Sequence, residues 1–399
     1  MINISSLEPK DISLYDQGED IALVNAFLSK FGYKEKEELV EPEFTPKTKD
    51  ALQAFQRTMN ISESGNLDSA TVEALQMPRC GVPDLSPGNL SLSAFTLSGC
   101  SYQAVKRILN YTFVNATPDI PGDNERDAIR RALGTWQAVT SLDFREVPST
   151  AGADLRFGWF AGDHGDGSGF DGVGNVLAHA FFPPPCGGAH AGSCHFDEAE
   201  NWDLTGTGGN VDLETVALHE IGHLLGLQHS NVPNSVMFAS YSGPRRQLAP
   251  DDIAGIEALY GKRGLELRVL VHLEGMGDIE RRDNEFSGTR GQSRRLEGFQ
   301  IAIATSIQGL SCRYMAHLEG IGDTGWVNEG QFVGTRGQSR RLEGFAIELT
   351  GPQAPNYDVI YMGHLQNSGD TGYARNGQFC GTRGQSRRLE GLLVRVQRK

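Results

Sequence analysis

The chain is 399 residues long with a formal net charge of −14 and 49 glycines. That length accommodates two or three domains with cores of their own, and the acidic balance gives no bulk electrostatic support for a nucleic-acid partner. No run of ~18 apolar residues is present, so no membrane span is expected. The glycine content points to turns and β structure rather than a helical bundle. The N-terminus, Met1 to Lys10, lacks a basic n-region and an apolar h-region. For an exported protein this leaves a non-classical route, an incomplete start, or work inside a cell. Six cysteines, Cys80, Cys100, Cys186, Cys194, Cys312 and Cys380, are too few for a disulfide scaffold.

Between about Glu19 and Met77 the apolar pattern predicts a small all-α domain. Ile21, Val24, Phe27, Leu28 and Phe31 recur at helical spacing up to Gly32. A second helix runs from Pro46 to Met59 with Ala51, Leu52 and Phe55 on one face. A third starts at Asp68 as N-cap and carries Val72 and Leu75. The run Ala51-Leu52-Gln53-Ala54-Phe55-Gln56 resembles a peptidoglycan-binding-like domain, which implies either a cell-wall glycan ligand or use as a propeptide. Pro78-Arg79-Cys80-Gly81-Val82-Pro83-Asp84 follows, a lone cysteine rigidly presented between two prolines. Residues 85–100, with Ser86-Pro87-Gly88, read as an exposed linker where an activating cut is expected.

Tyr111 to Val114, Leu142 to Val147 and Asp154 to Phe160 predict strands. Asp123 or Asn124 caps a helix carrying Ala128, Ile129, Ala132, Leu133 and Trp136. From His164 to His179 glycines interleave with His and Asp, so the backbone can wrap closely around ions. Cys186 and Cys194 flank the glycine-rich Gly187 to Ser193. They are expected either to close it as a local disulfide, which favours an oxidising compartment, or to remain free thiols.

His219-Glu220-Ile221-Gly222-His223-Leu224-Leu225-Gly226-Leu227-Gln228-His229 reads H-E-x-x-H-x-x-G-x-x-H. His219 and His223, four apart on a helix, share a face and can place two imidazole nitrogens on one zinc ion. Gly226 can turn the chain back so that His229 returns as a third ligand. Glu220 lies beside that face, within reach of a metal-bound water. The stretch is that of a zinc hydrolase with an open fourth position, and a cysteine thiolate upstream is the obvious plug for it. Ser235-Val236-Met237 matches the Met-turn of metzincins. Leu248 to Tyr260 reads as a last helix ended by Gly261.

The heptapeptide around Cys80 and the zinc stretch together resemble the matrix metalloproteinases. That resemblance implies an α+β metzincin domain with a twisted mixed sheet and three helices, made as a zymogen. It implies that Cys80 ligates the catalytic zinc in the latent form while Arg79 and Asp84 pair to hold the loop. It implies a structural zinc on His164, Asp166, His179 and His195. One calcium site would use Asp171, the carbonyls of Gly172, Gly174 and Val176, and Asp197 with Glu200. Asp119 and Glu198 would form another. Pro183 to Cys194 departs from the shorter family loop, which leaves a further calcium at Asp154 in doubt. Ala239-Ser240-Tyr241 stands where the family has Pro-x-Tyr in the wall of its specificity pocket.

Gly-Thr-Arg-Gly-Gln-Ser-Arg-Arg-Leu-Glu-Gly occurs at Gly288–Gly298, Gly334–Gly344 and Gly381–Gly391, with His-Leu ahead of each copy at His272, His317 and His364. Spacings of 46 and 47 residues predict three copies of one β unit. They resemble clostridial hydrophobic repeats with a central Gly-Trp, retained as Gly325-Trp326 and altered to Gly372-Tyr373. Three equal units imply pseudo-threefold closure, as a β-prism or a β-trefoil. Arg294, Arg340 and Arg387 either bind a carboxylate or glycan or pair with Glu297, Glu343 and Glu390, the structural use being favoured.

The expected organisation is therefore a helical prodomain at 15–84, a linker at 85–100, a zinc metallopeptidase domain at 101–262, and β repeats at 265–399 (265–305, 311–350 and 357–397). The expected function is an extracellular endopeptidase acting on proteins by zinc-activated water, with Glu220 as base, and with repeats that hold a surface, glycan or protein ligand. The competing expectation is a cell-wall or glycan adhesin whose middle domain is inactive.

Overall fold

A computed structural model describes residues 4–35, 42–85, 94–102, 108–261, 263–282, 285–304 and 307–398. The chain divides into two compact units, Met1–Gly261 and Lys262–Lys399. The first opens with α1 (Glu19–Lys30), α2 (Pro46–Thr58) and α3 (Ser69–Gln76). Pro46 presets the first turn of α2, and Thr45 caps it by accepting the Thr48 N–H at 3.2 Å. Asp68 caps α3 through Thr71 N–H at 2.9 Å. Their apolar faces close on Val24, Leu28, Leu52, Phe55 and Leu75, with Phe27 and Tyr33 edge-on to Phe55.

A six-stranded sheet follows, built from β1 (Arg79–Cys80), β2 (Ile108–Phe113), β3 (Asp143–Glu146), β4 (Leu155–Phe160), β5 (Val176–Ala180) and β6 (Ser193–Asp197). The spatial order is β1-β5-β6-β4-β2-β3, and β5 with β6 is the antiparallel pair in an otherwise parallel sheet. The edge strand β1 is the segment holding Cys80, contributed from the helical end of the chain. Helices α4 (Asn124–Gln137), α5 (Leu213–Leu224) and α6 (Pro250–Tyr260) share one core with the sheet. Trp136 of α4 is fully buried and donates its Nε1–H to Leu218 O at 2.9 Å, which fixes α4 against α5. Helix α6 begins two residues after the expected Leu248, because Asp252 turns back to accept the Ala249 N–H at 2.7 Å.

The expected Cys186–Cys194 bridge is corrected: Cys186 is bonded to Cys100, with a Cα–Cα distance of 6.0 Å, and Cys194 is a buried free thiol. Cys194 sits in β6 opposite Phe157 and Ala180 and belongs to the sheet's core, whereas Cys186 lies in an exposed turn. Cys100 reaches that turn because residues ahead of it hydrogen-bond to the chain after α5, Ser98 N to Gly226 O and Gln228 N to Thr96 O. Of the 85–100 linker in which the cut is expected, residues 86–93 lie outside the described residues, as do Met1 to Asn3 of the N-terminus.

The second unit is all β, in sheets of four, six and five strands among the described residues. Each repeat supplies one long antiparallel pair: Leu267–Leu273 with Leu296–Ile303, Ser311–Leu318 with Leu342–Thr350, and Tyr357–Leu365 with Leu389–Arg398. Each pair carries an irregularity just after its histidine, at His272, His317 and His364. Short strands then exchange between repeats. Val333–Gly334 joins the first repeat's sheet, Cys380–Gly381 the second's and Ser287–Gly288 the third's.

The repeated motif does the joining. A Cβ at Gly298, Gly344 or Gly391 would meet the ring of Phe332, Phe379 or Phe286 within 2.2–2.4 Å, so only glycine lets the exchanged segment dock. Arg290, Arg336 and Arg383 stack over Phe286, Phe332 and Phe379 at 3.5–3.6 Å and pair with Asp370, Asp278 and Asp323 of another repeat. The Glu pairing expected for Arg294, Arg340 and Arg387 belongs instead to Arg295, Arg341 and Arg388, two residues before Glu297, Glu343 and Glu390. Arg294 and Arg340 donate to the carbonyls of Glu274 and Glu319, and Arg387 to Ser368 Oγ.

Gly344→Ala should destabilise the repeat unit by about 1–3 kcal/mol through overpacking, seen as a lowered melting temperature by calorimetry. An unaltered melt would show that Phe379 gives way freely. Unreduced peptide mapping should recover a Cys100–Cys186 cross-linked pair, with Cys194 alkylated only after denaturation.

Candidate metal centre and its surroundings

Asp212 caps α5, its Oδ2 accepting Thr215 N–H at 3.2 Å. The helix then carries His219, Glu220 and His223 on consecutive turns, every one buried. It ends at Leu224 in a backbone reversal where Gly226 N donates to His223 O and Leu227 N to Gly222 O, both at 2.9 Å. Gly226 has φ +106°, and a Cβ there would lie 2.3 Å from Cys100 O. The reversal returns His229 to the helix face.

Three imidazole nitrogens now converge. His219 Nε2 is 3.2 Å from His229 Nε2 and 3.1 Å from His223 Nε2. The second nitrogens are engaged elsewhere: His219 Nδ1 bonds Val236 O and His223 Nδ1 bonds Leu227 O, each at 2.7 Å. His229 Nδ1 lies 2.8 Å from Asp84 Oδ1. Cys80 completes the group, its Sγ and the three imidazole nitrogens all within 4.8 Å of one another. Burial holds all three histidines below their ordinary pKa, so the imidazoles are neutral, as metal ligands must be. Glu220 is fully buried, with no nitrogen or oxygen partner on either carboxylate oxygen and only the Cys80 thiol beside it, and burial pushes its carboxyl up to about 8. Burial, and then the Glu220 charge, likewise raise the Cys80 thiol.

An orphaned carboxylate, a buried thiol and facing nitrogen lone pairs are mutually unfavourable until a cation is placed among them. Three neutral imidazoles and a thiol at these separations fit a tetrahedral zinc ion. A second set fits equally well. Asp166 Oδ2 lies 2.8 Å from His164 Nε2 and 2.7 Å from both His179 Nε2 and His195 Nδ1. Burial would raise Asp166, but the Ser168 N–H and the histidines outweigh it and hold the carboxyl well below its usual range. These are the two such clusters among the described residues.

The remaining sequence-predicted residues do not converge as tightly. Asp197 Oδ2 accepts Gly172 N–H at 3.2 Å, Glu200 Oε1 accepts Gly174 N–H at 2.6 Å, and Asp171 Oδ1 accepts Val176 N–H at 3.2 Å. Burial raises all three carboxyls, Glu200 to about 7. Asp119 accepts Trp202 N–H at 3.0 Å, and Glu198 accepts Thr117 Oγ1–H at 3.2 Å with its Oε2 unpartnered. Asp154 Oδ2 accepts Asn110 N–H at 2.8 Å in the sheet.

Cys80 is held by strand pairing on both sides. Along β5, Arg79 N donates to Asn175 O and Gly81 N to Ala178 O, at 2.6 and 2.8 Å. Opposite, Cys80 N donates to Ala239 O and Tyr241 N to Pro78 O, at 3.0 and 2.7 Å. Arg79 and Asp84 form a buried ion pair. The guanidinium lies 3.7 Å over the Phe31 ring, and Tyr33 OH donates to Asp84 at 2.6 Å. Burial alone would raise Asp84, yet the Arg79 charge, His229 and Tyr33 hold its carboxyl at about 2.

Sequence reading missed Tyr33, Phe31 and Cys100, whose partners are remote in the chain. It also missed what Asp252 does. Its carboxylate accepts from Ser235 Oγ, Val236 N and Met237 N, which fixes the segment whose Val236 carbonyl orients His219. Met237 packs under Gly222, where a Cβ would lie 2.3 Å from its Sδ. The Asp251-Asp252 pair at the helix start was the available signal.

The matrixin family model matches residues 103–261, a peptidoglycan-binding-domain model residues 17–75, and the clostridial hydrophobic W model residues 272–304, 317–351 and 364–398. The chain is 42% identical over 217 residues to matrilysin of Rattus norvegicus, covering 54% of this chain and 77% of that one. It is 33% identical over 318 residues to metalloendoproteinase 5-MMP of Arabidopsis thaliana, covering 72% and 82%. The hatching enzyme of Paracentrotus lividus is 40% identical over 244 residues, which are 61% of this chain and 39% of that longer protein. With its histidine cluster and these relatives, the chain belongs to the matrixin family of metalloendopeptidases.

Proposed function

We propose that the full-length chain is a latent zinc endopeptidase, with His219, His223 and His229 holding the catalytic metal and Cys80 its fourth ligand. The observation that carries this reading is the convergence of those four side chains beside a buried, unpartnered Glu220. A bound zinc ion supplies Lewis acidity, acidifying a water and polarising a carbonyl. Glu220 takes the proton of the attacking water and delivers it to the departing amine. The β5 edge offers backbone groups to an extended substrate, and in the latent chain β1 takes that edge. Removing residues 15–84 and cutting the 85–100 linker frees both the edge and the metal position.

His164, Asp166, His179 and His195 suit a closed structural zinc site. Raised carboxyls at Asp171, Asp197 and Glu200, with the Gly172, Gly174 and Val176 carbonyls nearby, suit calcium, as do Asp119 and Glu198. Asp154, bonded into the sheet, is left out. Residues 101–262 form the catalytic domain in this reading. In this reading the repeats of 265–399 close as a β-prism, which the separate sheet of each long pair supports. Their exposed Trp326 and Tyr373 rings, with Arg313 and Arg395 at 5.1 and 5.4 Å, suit a glycan or surface ligand. The Cys100–Cys186 disulfide favours work outside the cell.

Glu220→Ala should keep stoichiometric zinc by atomic absorption while casein cleavage falls by roughly 10²–10⁴-fold; undiminished cleavage with zinc bound would sink the assignment. Cys80→Ser should process itself faster than the parent chain, whereas an adhesin with an inactive middle domain would show neither stepwise shortening nor chelator-sensitive proteolysis. Because the docked Asp84 carboxyl sits at about 2 against ~3.9 when exposed, its contribution to latency is full above pH ~4 and lost as pH falls through 2. Cys80 labelling by a disulfide reagent active in acid should rise over that window, and Asp84→Asn should already label at neutral pH.

A further inference from the structure

The cavity that touches His219, Glu220 and Cys80 is walled by Leu177, Val216, Val236 and Phe238, and it also takes in Arg245. Its volume is about 30 Å³ in the latent chain, with Arg79 and Cys80 in its lining. This apolar part of the wall suits an aliphatic side chain, and Thr215, Ser240 and Ser242 share the lining. A guanidinium beside it does not suit one.

Arg245 is anchored inward. Its backbone N–H donates to Thr215 Oγ1 at 2.7 Å, and its Nη1 reaches Ser235 O at 2.6 Å, so the side chain runs along the cavity wall. The neighbouring cations are already neutralised: Arg246, next in the chain, pairs with Asp212, and Arg79, which shares the cavity lining, pairs with Asp84. Arg245 has no carboxylate within ion-pair distance among the described residues. Asp252 is the nearest acidic influence on it, and its two oxygens already accept from Ser235 Oγ and the backbone N–H groups of Val236, Met237 and Ala249. A guanidinium carries five N–H donors in a planar fork, and among the described residues this one makes a single side-chain hydrogen bond, to the Ser235 carbonyl. Half-buried, it is penalised chiefly by lost solvation.

We propose that Arg245 determines specificity in this pocket, and that the activated chain cleaves preferentially before a residue whose side chain ends in a carboxylate or amide, glutamate ahead of glutamine. This rests on the peptidase reading above. A carboxylate entering past Leu177 and Val216 gains charge-assisted hydrogen bonds from a cation pre-set in a partly dry site. A methionine or leucine of similar length would displace water from those donors without replacing its hydrogen bonds, and donors left unmet on binding discriminate more sharply than a lost methylene does.

The test uses the full chain, zinc-loaded and opened with an organomercurial, on peptides differing only after the scissile bond: Glu, Gln, Met, Leu or Lys. Glutamate should exceed methionine and leucine in kcat/KM by on the order of ten- to a hundredfold. Arg245→Met should invert that order, and Arg245→Glu should favour a lysine peptide. Zinc content and melting temperature guard against a variant that loses its fold, and Arg245→Lys, which keeps the charge, should retain a reduced glutamate preference. Leucine or methionine cleaved best by the parent chain, or an order unchanged in Arg245→Met, overturns the proposal while leaving the peptidase intact. Failure to cleave every peptide and casein as well, with zinc bound, sinks the peptidase reading and this proposal with it.

Discussion

Three imidazole nitrogens facing one another at about 3 Å inside a protein are repulsive on their own account, and the first unit is built to hold them there. The hydrogen bonds of His219 to Val236 O and His223 to Leu227 O leave each ring one free nitrogen, directed at the shared centre. Val236 is in turn held by Asp252, and the Leu227 carbonyl by the reversal at Gly226. Glu220 is left without partners in the same dry volume. A cation relieves every one of these tensions at once, which is why the pattern reads as a metal centre and not as a histidine-rich core.

The segment around Cys80 is joined to that centre by more than its thiol. Backbone pairing to β5 and to Ala239–Tyr241 holds it as a strand. The buried Arg79–Asp84 pair fixes the return of the loop, and Asp84 also lies beside the ring of His229. Breaking a buried pair by removing one partner costs about 3–5 kcal/mol, so the loop is cooperative with the helical region that supplies Phe31 and Tyr33. In the reading proposed above, latency is a property of this whole interlock.

The repeat unit shows a different economy, in which one motif serves three joints. Glycine under phenylalanine, arginine over it and aspartate beyond are reused at each exchange of short strands. A unit that completes its neighbour's sheet leaves fewer raw edges than a hairpin folded on itself. Identity among the copies follows from that packing demand, and the exposed rings that differ between copies, Trp326 and Tyr373, stand outside it.

What the sequence alone determined is local. The cap at Asp68, Pro46 in the first turn of its helix, the i, i+4 histidines, the glycine that returns His229, and the tripled motif are all decided within a few turns of chain, where helical geometry and steric freedom leave little choice. The α6 boundary slipped by two residues because Asp252 caps from inside the helix. What only the tertiary structure decided is long-range: Cys186 bonds Cys100, 86 residues away, and not its neighbour Cys194, because β6 turns the Cys194 side chain into the core. Arg295, not Arg294, meets Glu297, while Arg294 is drawn to the Glu274 carbonyl of the partner strand's turn. Arg245 enters the pocket because Thr215 and Ser235 anchor it there. Such partners are set by which surfaces pack, and packing carries no signature in the spacing of a single chain.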